Sequence, residues 1–75
     1  MNRNDEFSIR TYGKQELALK YFPNVTPDAA LRRLRRWIML NPTLRLQLAP
    51  KGRLSPLRAF TPREVRLIVE QLGEP

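Results

Sequence analysis

"TPDAALRRLRRWI", residues Thr26–Ile38, holds both the start and the period of a helix. Thr26 offers a hydroxyl to the first free backbone N–H groups, Pro27 suits the first helical position, and Asp28 sets a negative charge in the positive first turn. From there Ala30, Leu31, Leu34, Trp37 and Ile38 recur on one side, while Arg32, Arg33, Arg35 and Arg36 spread over the remainder. The segment reads as an amphipathic helix that begins at Pro27 and is ended by Asn41 and Pro42.

On the N-terminal side, Leu17, Ala18 and Tyr21 fall at the spacing of one helical face, and Pro23 forbids continuation past Phe22. This predicts a first helix over about Lys14–Tyr21, joined to the second by the turn "FPNVT", Phe22–Thr26. Residues 1–6 are polar and charged with nothing to bury, and read as a frayed tail. Phe7 and Ile9 alternate with Ser8 and Arg10, a period shared only by Leu57–Phe60, so these two stretches are expected to pair as a minimal two-stranded ribbon.

On the C-terminal side, Thr43–Ala49 suits a short helix capped by Thr43, with Leu44 and Leu48 turned inward, and "PKGRLSP", Pro50–Pro56, has the composition of a loop. "TPRE" then places Thr61 at the cap, Pro62 at the first position and Glu64 where it reaches back to the Thr61 amide, which is a capping box. Val65, Ile68, Val69 and Leu72 form the apolar face of this last helix, and Gly73 supplies the stop.

The expectation is one all-α domain over residues 7–75: a helix-turn-helix-like bundle of three main helices and one short helix, with the minimal ribbon. Its core would comprise Leu17, Ala18, Tyr21, Leu31, Leu34, Trp37, Ile38, Leu48, Val65, Ile68 and Leu72. Tyr12 lies at the junction of two patterns and has no assigned place. A chain of 75 residues buries only about 60% of the surface its unfolded form exposes. With no cysteine and no histidine, disulfide and zinc staples are unavailable, so helix packing or a partner must supply stability.

The same two absences remove the commonest general base, the thiolate nucleophile and most transition-metal sites. The seven acidic residues are scattered, the three glycines are isolated, and no phosphate-cradling or dinucleotide motif is present. The sequence thus argues against an enzyme, a metal site and a cofactor. Nor is there a basic start followed by an apolar run, or an apolar stretch of about 20 residues, so a soluble, cytoplasmic protein without a membrane role is expected.

Fourteen Lys and Arg against seven Asp and Glu give a net charge of +7 and a pI near 11.1, the range of nucleic-acid-binding modules. Two short helices joined by a turn match the layout in which the first helix braces the second and the second enters the major groove of double-stranded DNA. Under that reading Arg32, Arg33 and Arg36, with Arg35 beside them, face the DNA, since guanidinium groups stay charged and bind phosphate or a guanine edge with two hydrogen bonds. Lys51, Arg53 and Arg58 flank the second loop, where a wing would touch the adjacent backbone. Asp28 weighs against this reading unless it serves the helix dipole or accepts from a cytosine amino group. The bland alternative is a solvated face of an amphipathic helix, and the functional rival is an adaptor that offers the same arginines to an acidic protein partner. Trp37 could stack on bases, but its place beside Leu34 and Ile38 assigns it to the core. Operator-type recognition usually pairs two half-sites, so a homodimer is also an expectation.

"KQELALKYF" resembles the bracing helix of MerR-like, excisionase and winged helix-turn-helix regulators, where a Leu-Ala pair and a following aromatic pack on the recognition helix. Over Phe7–Pro75, "FSIRTYGKQELALKYFP", "TPDAALRRLRRWI" and "FTPREVRLIVEQLGEP" also resemble a family of small uncharacterised proteins found mainly in Bacteroidales and classed as a domain of unknown function. That resemblance carries no functional residue over to this chain.

Overall fold

The computed structural model of the chain describes residues 7–75; the tail expected over residues 1–6 lies outside them. The elements run β1 (Tyr12–Gly13), α1 (Lys14–Tyr21), α2 (Pro27–Leu40), α3 (Pro42–Leu48), β2 (Ala59–Phe60) and α4 (Pro62–Leu72). The fold is mostly helical, with a two-stranded antiparallel ribbon in which Tyr12 faces Phe60 and Gly13 faces Ala59.

Local chemistry sets the helix boundaries. Thr26 Oγ1 accepts from the Ala29 amide at 3.2 Å, and Thr61 and Glu64 exchange the two bonds of a capping box at 3.2 and 2.9 Å. At α1 the Glu16 carboxylate accepts from the Gly13 amide at 3.1 Å. Gly73 ends α4 with φ +85°, a left-handed conformation that side chains rarely adopt. The short helix starts two residues earlier than Thr43 would place it: Asn41 Oδ1 accepts from the Leu44 amide at 3.0 Å, and Pro42 takes the first position. Asn41 therefore closes α2 and opens α3, and Pro42 fits because a first-position residue has no intrahelical use for an N–H.

The ribbon forms, but not with Phe7–Arg10. The Phe7 ring stacks on Tyr12 with centroids 5.3 Å apart, the Arg10 guanidinium lies 3.7 Å over the Tyr12 ring, and the Tyr12 hydroxyl donates to the Ser8 carbonyl at 2.8 Å. The segment folds back over Tyr12, and Tyr12–Gly13 take the strand register because Tyr12 and Phe60 are the pair whose rings are buried. Leu57 and Arg58 precede the strand β2 and are exposed.

The core contains the expected Leu17, Ala18, Leu34, Ile38, Leu48, Val65 and Ile68, and adds Tyr12, Ala30, Leu44 and Phe60. Tyr21, Leu31 and Leu72 are half-buried against it. Trp37 is not core: it is 43% exposed. The buried seam of α2 runs through Ala30, Leu34 and Ile38 at i, i+4 and i+8, and Trp37, one residue before Ile38, stands about 100° around the helix from it. Its ring packs edge-on against Phe22 at 4.7 Å and Tyr21 at 6.4 Å between centroids.

Cross-links tie the helices together. α1 and α2 share the most extensive contact; Asn41 Nδ2 donates to Gln71 of α4 at 3.2 Å, Arg63 donates to Gln47 of α3 at 2.9 Å, and the Tyr21 hydroxyl donates to the Gly73 carbonyl at 2.6 Å. Burial, with the Glu74 charge adding to it, pushes the Tyr21 phenol up to about 12. Among the described residues no helix is long and apolar enough to cross a membrane.

Candidate nucleic-acid interface

Because Ala30, Leu34 and Ile38 anchor one side of α2 in the core, the arginines between them must point away from it. At about 100° per residue, Arg35, Arg32, Arg36 and Arg33 follow one another around an arc of about 160°. All four are exposed, and together with Ala29 and Met39 they line a shallow concavity of about 550 Å³. The one ion pair among the described residues joins Arg10 to Glu16 at 3.1 Å, so no carboxylate of the described residues pairs with this arc. Arg33 also approaches the Phe22 ring, 5.9 Å from its centroid.

Asp28, the residue that weighed against a DNA-facing helix, accepts a hydrogen bond from Gln15 Nε2 at 2.6 Å. It ties the first turn of α1 to the first turn of α2 while complementing the positive end of the helix. Its position is explained by the scaffold.

The three basic residues of the second loop separate. Arg53 and Arg58 join Arg35 in the wall of a second, larger groove of about 1050 Å³ between α1, α2 and the loop. Lys51 is exposed and lines neither concavity. Arg35 belongs to both, so the basic surface of α2 continues into the groove. On the opposite flank of the arc, Trp37 stands about 40° beyond Arg33, which returns an exposed aromatic edge to the side of the arginines.

The groove contains a residue that sequence reasoning passed over. Lys14, the first residue of α1, is buried to 8% exposure; its ammonium donates to the Ser55 carbonyl and lies 5.5 Å from the Phe60 ring centroid. Its amide donates to the Arg58 carbonyl at 2.8 Å. Burial lowers its pKa from the usual lysine value and the Arg35 charge lowers it further, against an opposing pull from Glu64. Lys14 thereby fastens the loop to α1 from both its backbone and its side chain. No local signal marks it, because its partner Ser55 is 41 positions away.

Chemically, the arc offers four guanidiniums and no acid among them, while the groove adds Arg53, Arg58 and Lys14 and one acid, Glu16, which is paired with Arg10. Such groups can bind anions. A family model described as a domain of unknown function (DUF4248) matches residues 8–75. No curated protein and no solved structure matches the chain.

Proposed function

The chain belongs to the DUF4248 family, a domain of unknown function, and from its own surface we propose that it is a double-stranded-DNA-binding module, a small bacterial regulator or mobile-element accessory protein acting in the cytoplasm without catalysis. The observation that carries this reading is the arc of Arg32, Arg33, Arg35 and Arg36, exposed and without a carboxylate partner among the described residues, on a helix whose other side is locked in the core. α1 and the turn over residues 22–26 brace α2 as the first helix of a helix-turn-helix braces the second. The arginines contact phosphates, with Arg53 and Arg58 extending the contact along the backbone, and two copies pair to read a two-fold site.

Anisotropy of a labelled duplex of about 25 base pairs tests this. If α2 engages about five phosphates, log K falls against log salt with a slope near −4.5 between about 50 and 200 mM. The Arg32/Arg33/Arg36 triple alanine variant, folded as judged by circular dichroism, loses binding, and Arg32→Ala or Arg33→Ala alone flattens the slope by about one unit. Absence of binding at low salt, or an unaffected triple variant, refutes the reading. A second reading is an adaptor that offers the same arginines of α2 to an acidic protein; it predicts weak, salt-indifferent duplex binding.

A further inference from the structure

The groove between α1, α2 and the loop differs in kind from the shallow arc of arginines. At about 1050 Å³ it matches the upper end of ligand-sized sites, and its wall mixes two chemistries. Arg35, Arg53 and Arg58 supply positive charge, Leu31, Leu54 and Leu57 supply aliphatic surface, and the one carboxylate in the wall, Glu16, is already paired with Arg10 at 3.1 Å. Leu57 is 67% exposed, an unusual place for a leucine in a loop that has polar alternatives. None of the three arginines has a carboxylate partner among the described residues. Lys14 stands in the same wall, its ammonium held by the Ser55 carbonyl.

The two chemistries together narrow the occupant. A duplex is too wide to enter a groove of this size and would meet only its rim. Single-stranded nucleic acid needs rings on which its bases stack, and the lining contains leucines and a proline but no aromatic side chain. Acidic side chains interleaved with aliphatic ones satisfy both walls at once: carboxylates pair with the guanidiniums, which suit planar two-oxygen partners, and aliphatic groups cover the leucines.

We infer that the groove walled by Arg35, Arg53, Arg58 and Leu57 is a docking site for an extended acidic-aliphatic segment of a protein partner. Of the arc the groove shares only Arg35, and Arg53 and Arg58 serve duplex contact only as its outer extension, so Leu57→Glu on one side and the Arg32/Arg33/Arg36 variant on the other let each site fail alone.

The probe is a labelled synthetic peptide of alternating glutamate and leucine, followed by anisotropy beside an oligoglutamate of equal charge and a single-stranded oligonucleotide of equal charge. The alternating peptide is expected to bind at least about tenfold more tightly than either comparator. Arg53→Ala/Arg58→Ala and Leu57→Glu, all at exposed positions that leave the fold intact by circular dichroism, each weaken it by about tenfold or more. Arg32→Ala/Arg33→Ala/Arg36→Ala leaves peptide binding unchanged. The Leu57→Glu variant retains duplex binding, whereas the triple variant loses it, so the two sites report separately. Equal affinity for oligoglutamate or for the oligonucleotide, indifference to Leu57→Glu, or loss in the triple variant would each overturn the inference.

Discussion

Lys14 shows how a single residue couples scaffold to site. Its methylenes are covered by the core beside Phe60, and its ammonium reaches the Ser55 carbonyl at the edge of the groove. Burial disfavours the charged form, so the folded pKa lies below 10.5. In the unfolded chain the same group keeps its proton until about 10.5. Between the two values the unfolded state binds more protons, so the Lys14 contribution to stability grows as pH rises through this window and is complete above 10.5. Lys14→Met keeps the apolar stem and removes the titration. Urea denaturation of both proteins at neutral pH and near pH 10 should show wild type gaining on the variant as pH rises; a constant difference would mean that burial does not disfavour the charge.

Caps are legible in the sequence because each acts within about four residues of itself. Thr26, Thr61 and Glu64 do what their spacing predicts. Asn41 is the exception, since it ends one helix and begins the next, and Thr43 two residues later offers an equally plausible hydroxyl. Asn41→Ala should cost about 1 kcal/mol from the lost cap, with the bond to Gln71 adding to it, whereas Thr43→Ala, at an exposed position, should stay within about 0.5 kcal/mol. Thermal unfolding of the two variants decides the assignment: equal losses would contradict Asn41 as the cap. The ribbon follows the same logic of competition. Phe7 and Ile9 have a strand-like alternation, but Tyr12 draws Phe7 and Arg10 over its ring and takes the pairing with Phe60.

For the whole molecule, the decisive packing is the seam of Ala30, Leu34 and Ile38 in the shared core, with α1 and α3 the helices that α2 meets most extensively. Leu34→Ala opens a cavity in a small core and should cost about 2–5 kcal/mol, enough to unfold a marginal domain of this size. Trp37→Ala should cost well under the about 3–5 kcal/mol of a fully buried tryptophan, because it loses only edge contacts with Phe22 and Tyr21. Urea midpoints compare them directly; a Trp37→Ala variant as unstable as Leu34→Ala would return that ring to the core. The convergence of Arg35 with Arg53 and Arg58 also belongs to this scale. In the sequence these are two separate basic stretches, and Lys51, a neighbour of Arg53 along the chain, lines neither concavity.

The sequence by itself determined that there are four helices, the starts and stops of α1, α2 and α4, the buried faces of α1 and α4, and the exposure of the α2 arginines. Each depends on a period of about 3.6 residues or on a cap, and neither reaches beyond the next turn. Tertiary structure alone decided which flank of the α2 stripe is covered. Leu31 and Trp37 sit on opposite sides of the same seam, and only the placement of neighbouring elements leaves one half-buried and the other exposed. It also paired Tyr12 with Phe60, set Lys14 under Ser55 and joined one arginine of α2 to two of the loop. These contacts close long stretches of chain, and no local pattern encodes which ends will meet.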